Sequence, residues 1–391
     1  MMLPIPLAKL NDFFKPAMGL DDYLRDFFQN LLKEAGVRIN GRNPWDIQIH
    51  HPLFYRRVFL WGSLGLGEAY MEGWWDAKNL EQLFFRVLKA GIPEKFKSGL
   101  GAKTLGVLSR FVNFQTKKRS YGAVGRHYDL GNRLYRNMLD SRLMYSCGYW
   151  KNASDLEEAQ KNKLTLTCEK LLLKPGMKLL DIGCGWGGLA KFAAEHYGVT
   201  VTGITNSKEQ WSFAKKICKG YPIKIERMDY RDIRGKYDRV VSIGMLEHVG
   251  YKNYPVFMRT VFDCLEDQGL FLLHTIGNNV SSFCNDEWMD KYIFRDSVLP
   301  SARQLTDAWE ELFVLEDWHN FGTDYCKTLL SWHDNFKKNW PGIAADYGRR
   351  FYRMWTYYLL VCAASFHARR SQLWQIVLAK GGMPEGYTAP R

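Results

Sequence analysis

No run of eighteen apolar residues occurs anywhere in this sequence, so it offers no helix that could cross a bilayer. The eight cysteines, at positions 147, 168, 184, 218, 264, 284, 326 and 362, include no CxxC pair and no Cys/His spacing suited to zinc. They read as free thiols, and no metal is expected. The opening stretch MMLPIPLAKLNDFFK lacks the charged-then-apolar order of a secretion signal. Internal repeats and low-complexity tracts are missing as well, which removes solenoids and disordered tails from consideration. What remains is a globular protein expected in the cytoplasm.

Its 391 residues exceed the usual span of one domain, so a large unit and a smaller one are expected. Two features of composition carry information. Lys and Arg outnumber Asp and Glu by 54 to 41, and the resulting charge of +13 draws polyanions, either nucleic acid or the headgroups of an anionic membrane. Aromatic residues reach 15%; Tyr and Trp, apolar in body and polar at the tip, suit a surface or pocket that meets something both oily and wet.

From about Lys178 to Gly277 the chain alternates short aliphatic stretches (KLLDIG, VTVTGIT, IKIERMD, DRVVSIGM, LFLLHTIG) with stretches carrying apolar residues at three- and four-residue steps. Such a βαβ succession predicts an α/β fold, a doubly wound, mainly parallel sheet with helices on both faces. Leu156 to Leu173 predicts one helix packed on that sheet, with Ser154 or Asp155 as its cap and Pro175-Gly176 as its stop. FVLEDWHNFG and SQLWQIVLAKG predict late strands that complete the sheet. The first 120 or so residues lack the rhythm. GIPEKFKSGLGAKTLGV and TKKRS mark a change of unit, giving a smaller, mainly helical domain over 1–120 and the sheet domain over 121–391.

The segment 180–188, LDIGCGWGG, joins a buried-looking strand to a helix through close-set glycines. Glycine tolerates positive φ and admits a ligand to the backbone, while a helix start offers free N–H donors. A strand ending in Asp181-x-Gly183-x-Gly185 resembles the first turn of class I S-adenosylmethionine methyltransferases more than the GxGxxG of dinucleotide enzymes. That resemblance implies a Rossmann-like methyltransferase fold. It also implies a cofactor site of Asp181, Gly183, Gly185 and Gly187, joined by Thr205, Asn206 and Gln210 after the second strand and Asp229 and Tyr230 after the third. Thr205 stands where many such enzymes place an acid for the ribose, and Tyr230 offers a ring for a purine face.

Further motifs narrow the resemblance. GSLGLGEAYMEGWW (62–75), MYSCGYW (144–150), SIGMLEHVG (242–250), LLHTIG (272–277) and FGTDY (321–325) occur in the order found in cyclopropane-fatty-acyl-phospholipid synthases, across almost the whole chain. The likeness implies methylene transfer from S-adenosylmethionine to a cis double bond of a phospholipid acyl chain. A cis alkene is a poor nucleophile, so the enzyme must hold it in line with the sulfonium methyl in a dry pocket. A base must then take a proton from the new methyl before the ring can close. The resemblance implies a bound bicarbonate as that base, held by Cys147, Glu247, His274, Tyr325 and the backbone at Ile276. Chemically the set is suitable: His274 and Tyr325 can donate to an oxyanion, and Glu247 can accept the bicarbonate hydroxyl.

By the same resemblance Tyr145 and Ser146 approach the cofactor from a lid. Cys362, in TYYLLVCAASF, joins the catalytic candidates beside the acyl chain, although ring closure needs no covalent cysteine. His248 and His127 read as supporting residues. WGSLGLGEAYMEGWWD, with clustered tryptophans and turn-like glycines, and Lys117-Lys118-Arg119 suggest a docking face for an anionic, unsaturated phospholipid surface, so the protein is expected at the inner face of the membrane. The family likeness also implies a homodimer. Three alternatives stay open: a lipid methyltransferase that leaves a branch instead of a ring, an RNA methyltransferase, and a noncatalytic lipid-surface protein. No RNA-binding module is recognisable, so no nucleic-acid partner is expected.

Overall fold

The computed structural model describes residues 19–96 and 131–391. His127, Lys117-Lys118-Arg119 and the expected boundary near 120 lie outside the described residues. Helices α1 (Leu20–Lys33), α2 (Phe54–Met71), α3 (Leu80–Lys89) and α4 (Ile92–Lys95) and a two-stranded ribbon of β1 (Gln48–Ile49) and β2 (Trp75–Asp76) make up the first part. The sequence reads the glycines of 62–75 as turns, which holds for Gly73, at φ 79° in the turn after α2, but not for all of them. Gly65 and Gly67 lie within α2, and only Gly62 breaks it, at φ 51° and ψ −128°. Gly67 has a packing reason: a β-carbon there would stand 2.3 Å from the ring of Trp288. The tryptophans also separate, since Trp75 is fully buried, Trp74 stacks on His51, and Trp61 alone of the three is largely exposed.

The second part is a seven-stranded sheet of β3 (Lys178–Ile182), β4 (Thr200–Thr205), β5 (Ile223–Arg227), β6 (Tyr237–Ile243), β7 (Leu265–Asn278), β8 (Val314–Asn320) and β9 (Ser371–Ala379). The order is β5-β4-β3-β6-β7-β9-β8. The first five strands pair in parallel, and β9 runs antiparallel to both β7 and β8. Strand order reverses between β3 and β6, and ligands of open α/β sheets bind at such a switch point, beyond the strands' carboxyl ends. The helix between β6 and β7 ends at Cys264. Residues from Leu265 already belong to β7, with Gln268 at φ 61° and bonded through its N–H to the Lys380 carbonyl.

Helix α5 (Asn132–Met138) precedes the lid segment 143–150. Helix α6 (Leu156–Lys170) starts as expected, with the Asp155 carboxylate accepting from Glu158 N. It packs on the sheet, but with an inward face that is unusually polar: Gln160, Lys163, Thr167 and Lys170, at three- and four-residue steps, are all fully buried. Helices α7 (Gly188–Tyr197), α8 (Lys208–Ile217), α9 (Tyr254–Cys264), α10 (Glu287–Tyr292) and α11 (Ala302–Trp309) follow the strands. Helix α12 (Gly322–His367) bends at Gly348, φ 76°, and its two limbs fold back so that Tyr325 and Phe366 lie ring against ring at 4.5 Å. One apolar cluster gathers α1–α4, α5 and both limbs of α12. No helix among the described residues is long and apolar enough to cross a membrane.

Candidate active site

A cleft opens at the switch point between β3 and β6. Tyr145, Ser146, Asp181, Gly183, Gly185, Thr205, Asn206, Gln210, Asp229 and Tyr230 all line it, which is ten of the eleven expected cofactor residues. Gly187 does not. It sits behind the loop at the start of α7, where its φ of 87° turns the chain and a β-carbon would meet Cys218 Sγ at 3.0 Å. Gly185, at φ 54°, faces open space in the cleft, so any side chain there would enter it from a strained backbone. Gly188 is needed for close approach, because a β-carbon would lie 2.5 Å from the Arg142 carbonyl of the lid.

Electrostatics in the cleft follow from burial. Asp181 is 2% exposed, its Oδ2 has no partner among the described residues, and burial raises its carboxyl to about 7 against the opposing pull of Lys163. Thr205 donates its hydroxyl to Gln210 Oε1 at 2.9 Å and accepts from Ser207 N at 3.3 Å. Asp229 accepts from Arg231 N and Nη1, and Tyr230 packs edge-on to Phe257 with the Arg231 guanidinium 4.7 Å from its ring centre. The sequence reading did not single out Met144, Trp186, Arg231 or Met245, which also line the cleft. His248 lines it too, held neutral by burial that lowers it to about 4.

The second group of expected residues forms beside this cleft. Parallel pairing sets Ile243 at the end of β6 opposite His274 of β7, so the turn after β6 brings Glu247 to β7, where its Oε1 accepts from Ile276 N at 2.7 Å. Among the described residues its Oε2 is buried without a partner, and burial outweighs the opposing hydrogen bonds, from Ile276 N first and Thr275 after it, to raise the carboxyl to about 7. His274 is 1% exposed, its Nε2 is likewise buried without a partner, and burial followed by Lys163 and Lys170 holds it well below the usual imidazole range. Phe321, at the start of α12, sets its ring 5.9 Å from that of His274. Cys147 and Tyr325 converge on the same end of α12. Cys147 Sγ lies 3.9 Å from Thr328 Oγ1, one turn past Tyr325, whose ring packs on Phe366 and Trp332. Burial drives the Cys147 thiol well up, so it is a neutral thiol rather than a nucleophile. Cys362 lies on the returning limb, with Asp286 and Tyr358 as electrostatic neighbours, Tyr358 itself neighbouring Tyr145 and Tyr325, and its thiol is raised by burial to about 12.

The lid is tied down from both sides. Tyr145 and Tyr358 share a hydroxyl–hydroxyl bond of 2.7 Å, Gly148 N donates to Thr328 Oγ1 at 3.1 Å, and Trp150 N donates to Asp324 Oδ2 at 2.8 Å. Lys163, fully buried, donates to Ser146 Oγ at 3.0 Å, and burial lowers its ammonium to about 8. Lys163 was missed because one lysine in a helix reads as a solvated charge. The signal was its spacing from Gln160, Thr167 and Lys170.

A parallel sheet reversed at β3/β6, a glycine turn open to the cleft and an unpartnered acid at the first strand's end define a class I S-adenosylmethionine-dependent methyltransferase. The family model for mycolic acid cyclopropane synthetase matches residues 115–376. Cyclopropane-fatty-acyl-phospholipid synthase of Escherichia coli (strain K12) is 49% identical over 365 residues, 92% of this chain and 94% of that protein. Among solved structures, the cyclopropane synthase MmaA2 from Mycobacterium tuberculosis superposes with a TM-score of 0.63 at 29% identity, covering 66% of this chain and 98% of that one. The mycolic acid cyclopropane synthase CmaA1, complexed with SAH and CTAB, gives the same TM-score, identity and coverage. The chain belongs to the mycolic acid cyclopropane synthetase family and is an S-adenosylmethionine-dependent methyltransferase of the cyclopropane-fatty-acyl-phospholipid synthase type.

Proposed function

We propose that this enzyme transfers a methylene group from S-adenosylmethionine to the cis double bond of an unsaturated acyl chain in a membrane phospholipid, closing a cyclopropane ring after bound bicarbonate takes a proton. When bound, S-adenosylmethionine supplies an electrophilic methyl and bicarbonate an oxyanion base. The observation that carries the reading is the pair of buried, unpartnered atoms Glu247 Oε2 and His274 Nε2 on one strand–turn unit beside the cleft. Buried polar groups without partners are rare in native proteins and ask for a ligand. A small anion that also carries a hydroxyl fits this pair: the imidazole donates to its oxygen and the carboxylate accepts its hydrogen. Thr328 and the Cys147 backbone region close the side toward α12, and the aromatic cluster of Tyr145, Tyr325, Trp332 and Tyr358 excludes water from the acyl carbocation.

In the cleft, the unpartnered Asp181 Oδ2 suits the cofactor's ammonium, the Gln210 amide a ribose hydroxyl, and Tyr230 the adenine. Substrate is taken from the inner face of the membrane by a peripherally bound enzyme. Leu20 and Tyr23 of α1 and Phe59, Leu60 and Trp61 of α2 are exposed on packed neighbouring helices, and this apolar face is the dock we assign.

The test is mass spectrometry of fatty acids after incubating the protein with S-adenosylmethionine and vesicles of unsaturated anionic phospholipid. Gain of one methylene on unsaturated chains only, in a product that resists hydrogenation, is expected. A product that hydrogenates would mark a branching methyltransferase instead, and no product would remove lipid as substrate.

A further inference from the structure

We propose that Gln375 is a positioning residue that fixes His274 as the tautomer with its hydrogen on Nε2, so that this imidazole donates a hydrogen bond in the site and takes no proton there. The inference rests on the reading of Glu247 and His274 as the anion site.

Gln375 of β9 is the direct cross-strand partner of His274 of β7, so both side chains leave the same face of the sheet. Helix α6 covers that face and brings Thr167 to the amide. All three side chains are buried, with His274 1% exposed and Thr167 and Gln375 not at all. The Thr167 hydroxyl donates its hydrogen to the Lys163 carbonyl at 2.8 Å, one turn back in the helix. Having spent its only hydrogen, it meets Gln375 Nε2, 3.2 Å away, as an acceptor. This decides which way the amide faces. A flipped amide would set Oε1 against the Thr167 oxygen with no hydrogen between them.

With Nε2 of Gln375 oriented, its second hydrogen is directed to His274 Nδ1 at 3.4 Å. That ring nitrogen must then accept, so in the neutral imidazole the hydrogen sits on Nε2. Doubly protonated imidazolium is opposed by burial and by the cations Lys163 and Lys170. The His274 Nε2–H is therefore a donor with no partner of its own among the described residues. It can bind an oxyanion but has no lone pair for a proton. Of the two unpartnered groups, only Glu247, whose Oε2 is an acceptor, can hold or pass the bicarbonate hydroxyl hydrogen. The cost of the arrangement is visible: Gln375 Oε1 is itself buried without a partner.

The experiment labels the imidazole nitrogens of the full-length protein with nitrogen-15, assigns His274 by difference with His274→Gln, and measures bicarbonate dependence of turnover in parallel. Wild type is expected to show hydrogen on Nε2 across pH 6–8. Gln375→Glu presents a carboxylate that accepts from Nδ1, so the hydrogen should move to Nδ1. The bicarbonate concentration for half-maximal rate should then rise about tenfold or more, the size expected when one buried donor is lost, with S-adenosylmethionine affinity unchanged. Gln375→Met, similar in volume and uncharged, guards against a folding defect and should give mixed tautomers with a smaller rise. Hydrogen on Nδ1 in wild type, or His274 unmoved in both variants, would overturn the proposal. Turnover independent of bicarbonate in wild type would instead overturn the anion-site reading, while the tautomer result would stand on its own.

Discussion

Glu247, placed by our proposal in the anion site, is buried at a cost to stability. Its folded-state carboxyl is raised to about 7 by burial from an ordinary 4.5, so the native state holds a proton that the unfolded chain has given up. Between those values stability falls as pH rises, and above about 7 the full penalty is present, on the order of 3 kcal/mol. Glu247→Gln should therefore melt higher than wild type at pH 8, match it at pH 4, bind cofactor normally and form no ring. Melting curves at the two pH values with product analysis check this, and full turnover would remove Glu247 from the mechanism. Gly185 is constrained differently. At φ 54°, with open cleft in front of it, Gly185→Val should lose about 1–2 kcal/mol to backbone strain. The branched side chain should also reduce S-adenosylmethionine affinity by about a hundredfold or more, the order of a 3 kcal/mol clash. Calorimetric titration of cofactor reads this, and undiminished affinity would overturn the loop assignment.

At the scale of elements, the sequence made the sheet and the glycine turn legible because both rest on local rules: short continuous aliphatic strands, caps such as Asp155, and glycines where φ is positive. The two late strands, β8 and β9, were readable for the same reason. Long-range geometry was not. Gly187 carries the same motif signature as Gly185, and only packing against Cys218 separates a turn glycine from one that faces ligand. The fold-back of α12 depends on a single left-handed Gly348, invisible within a long helical pattern. Of the site residues, Glu247, His274 and Ile276 came together because β6 and β7 are neighbours. Gln375 escaped notice because its partner lies 101 residues away.

For the whole molecule, net charge and exposed apolar side chains act on a surface in different ways. The surplus of 54 cations over 41 anions gives a broad attraction to anionic surfaces, whereas five of the nine exposed large apolar side chains among the described residues, Leu20, Tyr23, Phe59, Leu60 and Trp61, lie on α1 and α2. Attraction of the first kind weakens with salt, and insertion of the second kind does not. Replacing Leu60 and Trp61 together by Ala should weaken binding to anionic vesicles about tenfold to a hundredfold, as two large side chains leave the lipid. Cofactor affinity should be unchanged. Vesicle co-sedimentation at low and high salt checks it, and unaltered binding at high salt would place the dock elsewhere.

The polar inward face of α6 reaches three places at once. Gln160 and Lys163 hold the lid at Ser146, Thr167 meets Gln375 beside His274, and Lys170 pairs with Asp317 of β8 at 2.9 Å. Residues sharing one network do not change independently, so the effects of substitutions here will be strongly non-additive. In evolutionary terms the helix is a linkage group. A chimera between two relatives would retain activity when α6, the lid and β8–β9 come from one parent, and a crossover inside that set would separate partners that each parent had matched.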